Sequence, residues 1–169
     1  MPAAESHCPA QTPESPTVRA FRELVRTFGL VERAMQPHFA RFGITGSQWG
    51  VLRNLHRAER EGVTGLRMTD LGERLLIRPP SVTGAVDRLE RSGLVERRSA
   101  PDDQRAKLVG LTDAGRQLVE RVLTVHEAQI ETILAGLNLT EQLALQRHLS
   151  RLGRHLEGLL ARGPVLAPE

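Results

Sequence analysis

A cluster of positive charge lies between two short apolar runs, Leu94–Val95 and Leu108–Leu111, in the stretch GLVERRSAPDDQRAKLVGLTDAG. The runs are typical of two strands that form an exposed hairpin. The cations that they carry toward its tip are Arg97, Arg98, Arg105 and Lys107. A hairpin tip needs no positive charge to turn, so the charge indicates a surface that binds an anion. An arginine on such a tip can reach the narrow, strongly negative minor groove of A·T-rich DNA.

The segment before the hairpin predicts a helix with two distinct faces. Pro79 and Pro80 end the preceding helix and suit the first turn of a new one, which we expect to run from Pro80 to about Arg91. Gly93 then has the character of a C′ residue. The face expected to pack inward holds Val82, Ala85, Val86 and Leu89, and the polar face holds Ser81, Gly84, Asp87, Arg88 and Arg91.

The polar face is narrow and carries small residues near its N-terminus, as a helix must to enter a DNA major groove about 12 Å wide. Ser81 and Thr83 can donate to phosphates or base edges, and Arg88 can bridge to a phosphate or to guanine. The competing interpretation is the ordinary polar face of an amphipathic surface helix. The hairpin that follows at once favours the DNA interpretation.

Acidic residues near the tip show that placement matters more than total charge. Asp102 and Asp103 would weaken a purely electrostatic contact, although Asp103 could hold Arg105 in a fixed pose through a charge-assisted hydrogen bond. From residue 65 to residue 107 the chain has nine Lys and Arg against seven Asp and Glu, a net of +2. The region as a whole is therefore not a continuous basic surface.

The elements that must position these residues are helical. Aromatic residues are only 3% of the chain and none is tyrosine, so the core must be aliphatic, which favours helix over sheet. An apolar stripe of helical period begins at Val18, and Pro37 is expected to bend this helix or end its first section. Thr45 and Gln48 have the spacing of a capping box that opens a second helix.

Three further helices are expected around the hairpin. A short one runs from Asp70 to about Leu76, with Thr69 as its N-cap. Thr112 caps a long helix after the hairpin, and Thr140 starts a last helix rich in leucine. The inner side of the second helix is expected to hold Trp49, Leu52 and Leu55.

Composition sets broad bounds on the protein. The chain has 169 residues, a formal net charge of +3 and a single cysteine, Cys8, so an internal disulfide is excluded. No apolar stretch is long enough to span a bilayer, and the acidic, proline-rich N-terminus is unlike a signal peptide. We therefore expect a cytoplasmic protein without a membrane partner, with disordered tails at residues 1–17 and 161–169.

Three motifs occur in order at characteristic spacing: ITGSQWGVLRNL, MTDLGERLLIRPPSVTGAVDRLERSGLVERR and PDDQRAKLVGLTDAG. In these the chain resembles the MarR family of bacterial winged helix-turn-helix regulators, from Val18 to about Leu160. The resemblance implies a mainly α (α+β) fold. Residues 44–111 would form the winged helix-turn-helix DNA-binding region with a two-stranded β wing. Residues 18–43 and 112–160 would form N- and C-terminal dimerisation helices.

The same resemblance implies a function. The protein would be a homodimer that binds a palindromic operator on double-stranded DNA and commonly represses its own gene or a neighbouring one. The helix from Pro80 to Arg91 would be the recognition helix, and Asp103, Gln104 and Arg105 would match the family's Asp-x-Arg wing motif, with Arg105 in the minor groove. Many relatives release DNA when a small, often aromatic or phenolic, anion binds between the DNA-binding lobe and the dimerisation helices.

One position departs from the family pattern. Many relatives have Thr-Arg early in the recognition helix, where this chain has Thr83-Gly84. Either the operator sequence differs, or other arginines supply more of the affinity. The residues expected to contact DNA are Arg78, Pro80, Ser81, Thr83, Gly84, Arg88, Arg97, Asp103, Arg105 and Lys107.

The dimer also has a physical basis in the sequence. The first and last helices carry apolar stripes while flanking the DNA-binding region. Two-fold symmetry would place two recognition helices about 34–36 Å apart, which is one turn of DNA.

An effector site is expected where the first helices meet, at His38, Trp49, Arg53 and His56. Arg53 could pair with a carboxylate, and Trp49 could stack on a ring. A metal site is not expected, because no cysteine or carboxylate cluster accompanies these histidines and His148 and His155 are seven residues apart on one helix. No cofactor is expected.

Two alternative functions stay open at this point, and one class of protein, an enzyme, is not expected. Cys8 could make the chain a redox sensor of the same family, or the winged helix could bind protein without sequence-specific DNA binding. An enzyme is not expected, because the chain has no GxSxG, phosphate loop, HExxH or cysteine pair.

Overall fold

The computed structural model describes residues 14–75, 79–100 and 103–163, and at positions 79, 80, 100 and 103–106 it describes the backbone alone. In chain order, the elements in these ranges are α1 (Pro16–Ala40), α2 (Gly46–Arg60), β1 (Leu66–Arg67), α3 (Met68–Leu75), α4 (Pro79–Arg91), β2 (Val95–Ala100), β3 (Asp103–Leu111), α5 (Asp113–Leu134) and α6 (Leu139–Ala161).

The first two helices begin at side-chain caps. The Ser15 hydroxyl accepts from the backbone N–H of Val18 at 3.3 Å, and Pro16 follows at the first helical position. α1 continues past Pro37 to Ala40, so the expectation that Pro37 could end its first section is wrong. The reason is that a proline removes one donor only, while its own carbonyl still accepts from the N–H of Arg41 at 3.3 Å.

The capping box expected at the start of α2 is confirmed. The Thr45 hydroxyl accepts from the backbone N–H of Gln48 at 3.3 Å, and the Gln48 side chain accepts from the N–H of Thr45 at 2.8 Å. Trp49, Leu52 and Leu55 are buried on the inner side of this helix, as the sequence predicts.

Two other helix starts differ from the expected ones. α3 begins at Met68, so Thr69 is already inside the helix, and Oδ2 of Asp70 accepts from the N–H of Arg67 at 3.3 Å. α6 begins after Asn138, which forms a capping box with Glu141 at 3.1 and 2.8 Å, so Thr140 is already inside the helix. In both helices a carboxylate of the first turn accepts from the backbone N–H of the residue three positions before it, Asp70 from Arg67 and Glu141 from Asn138.

The sheet has three antiparallel strands in the order β1-β3-β2, where the sequence predicts only the hairpin. β1 pairs Leu66 with Val109, and β2 pairs Val95 with Leu111. The two residues of β1 are too few to show a strand period. A Cβ at Gly65 would lie 3.0 Å from the carbonyl oxygen of Val109, so a glycine lets β1 approach β3 this closely.

The turn between α4 and β2 fixes where the hairpin starts. Gly93 has φ of +68°, as expected for a C′ residue. Its N–H donates to the carbonyl of Glu90 at 2.9 Å, and the N–H of Leu94 donates to the carbonyl of Leu89 at 3.0 Å, which is the Schellman pattern. Thr112, the confirmed N-cap of α5, donates its hydroxyl to the Gly93 carbonyl at 2.7 Å.

The core lies under α4 and the sheet. It joins the inner sides of α2 and α4 to the sheet and to the first half of α5, and its fully buried members include Leu52, Leu55, Leu71, Val82, Val86, Leu89, Val95, Val109, Leu111, Val119 and Val122. By contrast, α6 buries none of its residues over its whole described length. In α1 only His38 and Phe39 are buried.

No helix among the described residues combines the length and the hydropathy that crossing a bilayer requires.

Candidate nucleic-acid interface

α4 presents one polar face to solvent and anchors the other in the core. Val82, Ala85, Val86 and Leu89 have no exposed surface, which confirms the predicted inner face. On the opposite side, Ser81, Thr83 and Arg88 are exposed, and Gly84 is half-buried. Because the inner face is packed at every turn, the position of the outer side chains is set by the core rather than by a loop.

Arg88 extends back along α4 toward Gly84. A Cβ built at Gly84 would lie 3.5 Å from Nη1 of Arg88, an ordinary van der Waals distance, so the guanidinium lies against the Gly84 position. Within the described part of the chain Arg88 makes no ion pair. An exposed guanidinium without an acidic partner can bond to a phosphate or to a guanine edge.

Arg97, which the sequence analysis includes among the DNA contacts, lies instead against α4. Its Nη2 donates to Oδ1 of Asp87 at 2.5 Å, and its Nη1 donates to Oε2 of Glu90. The hydrogen bond with Asp87 raises the pKa of Arg97 above its ordinary value, with a further contribution from the charge of Glu90. This guanidinium is already engaged on two carboxylates.

The other wing cations are more exposed. Arg98 pairs with Glu96 at 3.2 Å, and Lys107 donates to the hydroxyl of Ser99 at 2.9 Å. Asp103 and Arg105 lie on β3, with Asp103 opposite Ala100, and their side chains are outside the description. Arg78 lies outside the described residues, and Pro80 is the second residue of α4.

A cavity of about 610 Å³ opens beside α2. Trp49, Arg53 and His56, three of the four residues expected at an effector site, line it together with Leu123 of α5. The other residues of its lining were not predicted, and they are Gly50, Asn54, Arg57, Arg60 and Glu61. Arg53, Arg57 and Arg60 recur at helical spacing on α2, a pattern that could have identified them.

The charges around this cavity are mainly positive. Arg57 pairs with Glu61 at 3.1 Å, and Arg74 of α3 pairs with the same carboxylate at 3.2 Å. The guanidinium carbon of Arg53 lies 5.9 Å from the centroid of the Trp49 ring, within the range of a cation–π contact. A cavity with an aromatic wall and excess positive charge suits a planar organic anion.

His38, the fourth expected residue, lies outside the lining of the cavity. It is buried, and its Nε2 lies 3.3 Å from Nδ1 of His126 on α5. The His126 ring is in turn 5.1 Å from the Trp49 ring, centroid to centroid, so His126 connects His38 to the cavity wall. His126 was missed, although it falls four residues after Val122 and so continues the inner stripe of α5.

The surroundings of both histidines favour the neutral imidazole. Burial lowers the pKa of His38, and the charge of Arg41 lowers it further. Burial also lowers the pKa of His126, with contributions from His38 and from Arg53. Nδ1 of His38 is buried without a hydrogen-bond partner in the described structure. The pair therefore favours a site that stays uncharged near neutral pH.

A bidentate ion pair joins the end of α2 to the start of α5. Arg116 donates to both carboxylate oxygens of Glu59 at 3.0 and 2.9 Å and to the carboxylate of Asp113 at 2.6 Å. It also donates to the carbonyl of Leu111 at 3.1 Å. The cavity-lining helix is thereby tied to the helix that leaves the sheet.

Among the described residues, no group of three or more His, Cys, Asp and Glu side chains could hold a metal ion. His148 and His155 are exposed on α6. Cys8 lies outside the described residues.

Comparisons with known proteins give a consistent result. A family model described as the MarR family matches residues 42–106. The HTH-type transcriptional regulator YkoM of Bacillus subtilis, itself uncharacterised, is 29% identical over 143 residues, which cover 82% of this chain and 90% of that protein.

Two solved structures are similar along most of their length. A probable transcriptional regulator from Pseudomonas aeruginosa is 32% identical with a TM-score of 0.61, covering 73% of this chain and 93% of that one. BpsR of Bordetella bronchiseptica, whose DNA binding is regulated by 6-hydroxynicotinic acid, is 25% identical with a TM-score of 0.74, covering 84% of this chain and 98% of that one.

Proposed function

The chain belongs to the MarR family of transcriptional regulators, and from this premise we propose that two copies bind a palindromic operator and repress transcription. The observation that carries the proposal is the exposed polar face of α4, which rests on a fully buried inner face and stands beside the wing. A helix held in this way can enter a major groove without first being ordered. As a DNA-binding regulator of transcription, the protein would act in the cytoplasm.

The proposed contacts divide between the helix and the wing. Ser81, Thr83 and Arg88 would reach base edges or phosphates from α4, with Pro80 and Gly84 keeping its first turn slim. From the sequence alone we add Arg78, Lys107 and the wing pair Asp103 and Arg105. Arg105 would enter the minor groove, and Asp103 would orient it.

The apolar surface of the terminal helices supports the homodimer. Phe21 and Phe28 are 67% and 64% exposed on α1, and Leu139 and Leu160 are 71% and 68% exposed on α6. Exposed apolar surface of this extent is typical of a protein interface. We propose that residues 18–43 and 112–160 form this interface and that residues 44–111 form the DNA-binding region.

We propose that a small aromatic anion binds the cavity beside α2 and releases the DNA. Arg53 would pair with its carboxylate and Trp49 would stack on its ring, with His56 at the same wall. The regulation of BpsR by 6-hydroxynicotinic acid supports this class of effector.

Calorimetric titration with salicylate and with 6-hydroxynicotinic acid tests the effector site. We expect Arg53→Ala to weaken binding at least about tenfold, because it removes a charge-assisted hydrogen bond. Arg67→Ala, an exposed arginine of β1 that does not line the cavity, is the matched control and should bind as the wild type does. Equal binding by Arg53→Ala and wild type would remove Arg53 from the site.

Selection from a library of randomised duplexes tests the proposed function as a whole. We expect the full-length protein to recover a palindromic sequence, and its affinity for that duplex to fall steeply as salt rises. Arg88→Ala should weaken binding and relax the base preference at one position of each half-site. Recovery of no preferred duplex would contradict the proposal and favour a winged helix that binds protein.

A further inference from the structure

We propose that Arg97 is a positioning residue, which holds the wing against the recognition helix by bridging Asp87 and Glu90, and does not itself contact DNA. This inference rests on the proposed function and refines it, because it assigns one expected DNA contact a different role. The three residues are called the wing clamp below.

The geometry of the wing clamp suits a fixed attachment. Asp87 and Glu90 are three residues apart on α4 and so lie on the same side of the helix. Arg97, the third residue of β2, places one terminal nitrogen on each carboxylate. The planar guanidinium holds its donors in a rigid fork, so two bonds to two carboxylates fix its direction as well as its distance.

The wing clamp acts on the whole hairpin. Arg97 is paired with Val109 in the ladder between β2 and β3, and β3 begins with Asp103 and continues through Arg105. The register shifts between Ser99 and Ala100, near the outer end of the ladder. Beyond β1, which pairs only with Leu108 and Val109 of β3, the hairpin is two-stranded. Two strands alone are only marginally stable, so a bond at the base of the hairpin restricts the tilt of its tip.

The charges argue against a direct DNA contact by Arg97. Two carboxylates share one guanidinium, which leaves the wing clamp with a net charge of −1. The side chain of Arg97 is 28% exposed, less than those of Asp87 at 47% and Glu90 at 38%. A phosphate that approached Arg97 would meet the two carboxylates first and would have to displace them.

Neighbouring cations show the contrast. Arg88 has no ion-pair partner and Lys107 bonds only to a serine hydroxyl, as far as the described residues extend. Both can approach a phosphate without breaking an ion pair. Of these three cations, Arg88 and Lys107 are therefore available to DNA, while Arg97 is engaged within the protein.

The double variant Asp87→Asn/Glu90→Gln separates the two roles. The amides keep the shape of the side chains but remove two negative charges near the DNA. If electrostatics alone mattered, or if Arg97 were freed to bind a phosphate, affinity for the selected duplex would rise. The salt slope, which is the slope of the logarithm of the binding constant against the logarithm of the salt concentration, would then steepen by about 1. The wing clamp predicts the opposite: binding at least about fivefold weaker, the cost of about one lost base-pair contact, with no steeper slope.

Three further variants complete the experiment. Arg97→Ala should weaken binding by a similar factor and should add little when combined with the double amide variant. Arg97→Lys, which keeps the charge but not the fork, should restore only part of the affinity. Glu73→Gln/Glu96→Gln also removes two carboxylates, one on α3 and one on β2, and should bind no more weakly than the wild type.

Circular dichroism must first show each variant to be folded at the temperature of the binding assay. A role in stability alone would lower the unfolding temperature and leave the affinity, salt slope and base preference of the folded protein unchanged. That result, or tighter binding by the double amide variant, would overturn the wing clamp while leaving the proposed function intact. If the wild type recovered no duplex, the proposed function would fail and this inference with it.

Discussion

Three arginines of this protein show that neighbours, more than residue type, decide what a guanidinium does. Arg88 is exposed without an acidic partner among the described residues, Arg97 bridges two carboxylates, and Arg116 ties α2 to α5. The sequence predicts where these charges lie along the chain. It does not predict the pairing of Arg97, because that depends on how the turn at Gly93 directs β2 back along α4.

At the scale of single residues, the histidine pair is the second informative feature. His38 and His126 are 88 residues apart in the chain and lie on different helices, so their contact could not be predicted from spacing. The charged groups that face them are the cations Arg41 and Arg53. Both histidine pKa values are lowered in the folded state, so the unfolded chain binds more protons once the pH falls below about 6.5.

We therefore expect stability to be fully present above pH of about 6.5 and to be lost as the pH falls through the lower pKa values of the folded state. Thermal unfolding followed by circular dichroism between neutral pH and mild acid measures this. His126→Gln should flatten the pH dependence, because one titrating group is removed while a polar partner for His38 is kept. His148→Gln, on the exposed surface of α6, should leave it unchanged, and equal slopes in all three proteins would contradict the interpretation.

At the scale of elements, caps and turns were the most predictable features. The capping box at Thr45, the C′ glycine at residue 93 and the cap at Thr112 are confirmed, because each depends on a few adjacent residues. The start of α6 was missed by two residues, since Asn138 competes with Thr140 and Glu141 decides between them. β1 was missed because its two residues form a strand only where β3 is already in place.

Gly115 supplies an element-scale prediction. It is the third residue of α5, and a Cβ there would overlap the carbonyl oxygen of Leu94, in the backbone that leads into β2. Gly115→Ala must therefore push the helix away from the sheet, and we expect it to lower the free energy of unfolding by about 1–3 kcal/mol.

Denaturant unfolding measures this effect. Gly136→Ala is the matched control, because no atom lies within 4 Å of a Cβ there, and it should change stability by less than about 0.5 kcal/mol. If Gly115→Ala were as stable as this control, the close contact between α5 and the Leu94 carbonyl would be contradicted.

At the scale of the whole molecule, the protein has a well-buried DNA-binding region and terminal helices whose apolar faces are uncovered. The core joins α2, α4, the sheet and the first half of α5, while α6 buries no residue along its described length. The sequence predicts the apolar stripes of these helices. A second copy of the chain is the partner that we propose for them.

Phe21→Glu/Phe28→Glu tests that proposal. The two phenylalanines are seven residues apart on one face of α1, and burying each would contribute about 1.5–3 kcal/mol. We expect the variant to sediment as a monomer where the wild type sediments as a dimer, and to lose operator binding. Arg26→Glu/Arg33→Glu, on the opposite face of the same helix, should remain dimeric, and a wild type that sediments as a monomer would contradict the proposal outright.

The most direct test of the account attaches a chemical nuclease to the last residue of α4. Cys8→Ser removes the only thiol, and Arg91→Cys supplies a new one on an exposed residue outside the proposed contacts. On the selected duplex, iron–EDTA at this position should cut at two sites related by the palindrome, about one helical turn apart. A single cut site, or cleavage spread evenly along the duplex, would show that paired recognition helices do not enter the DNA.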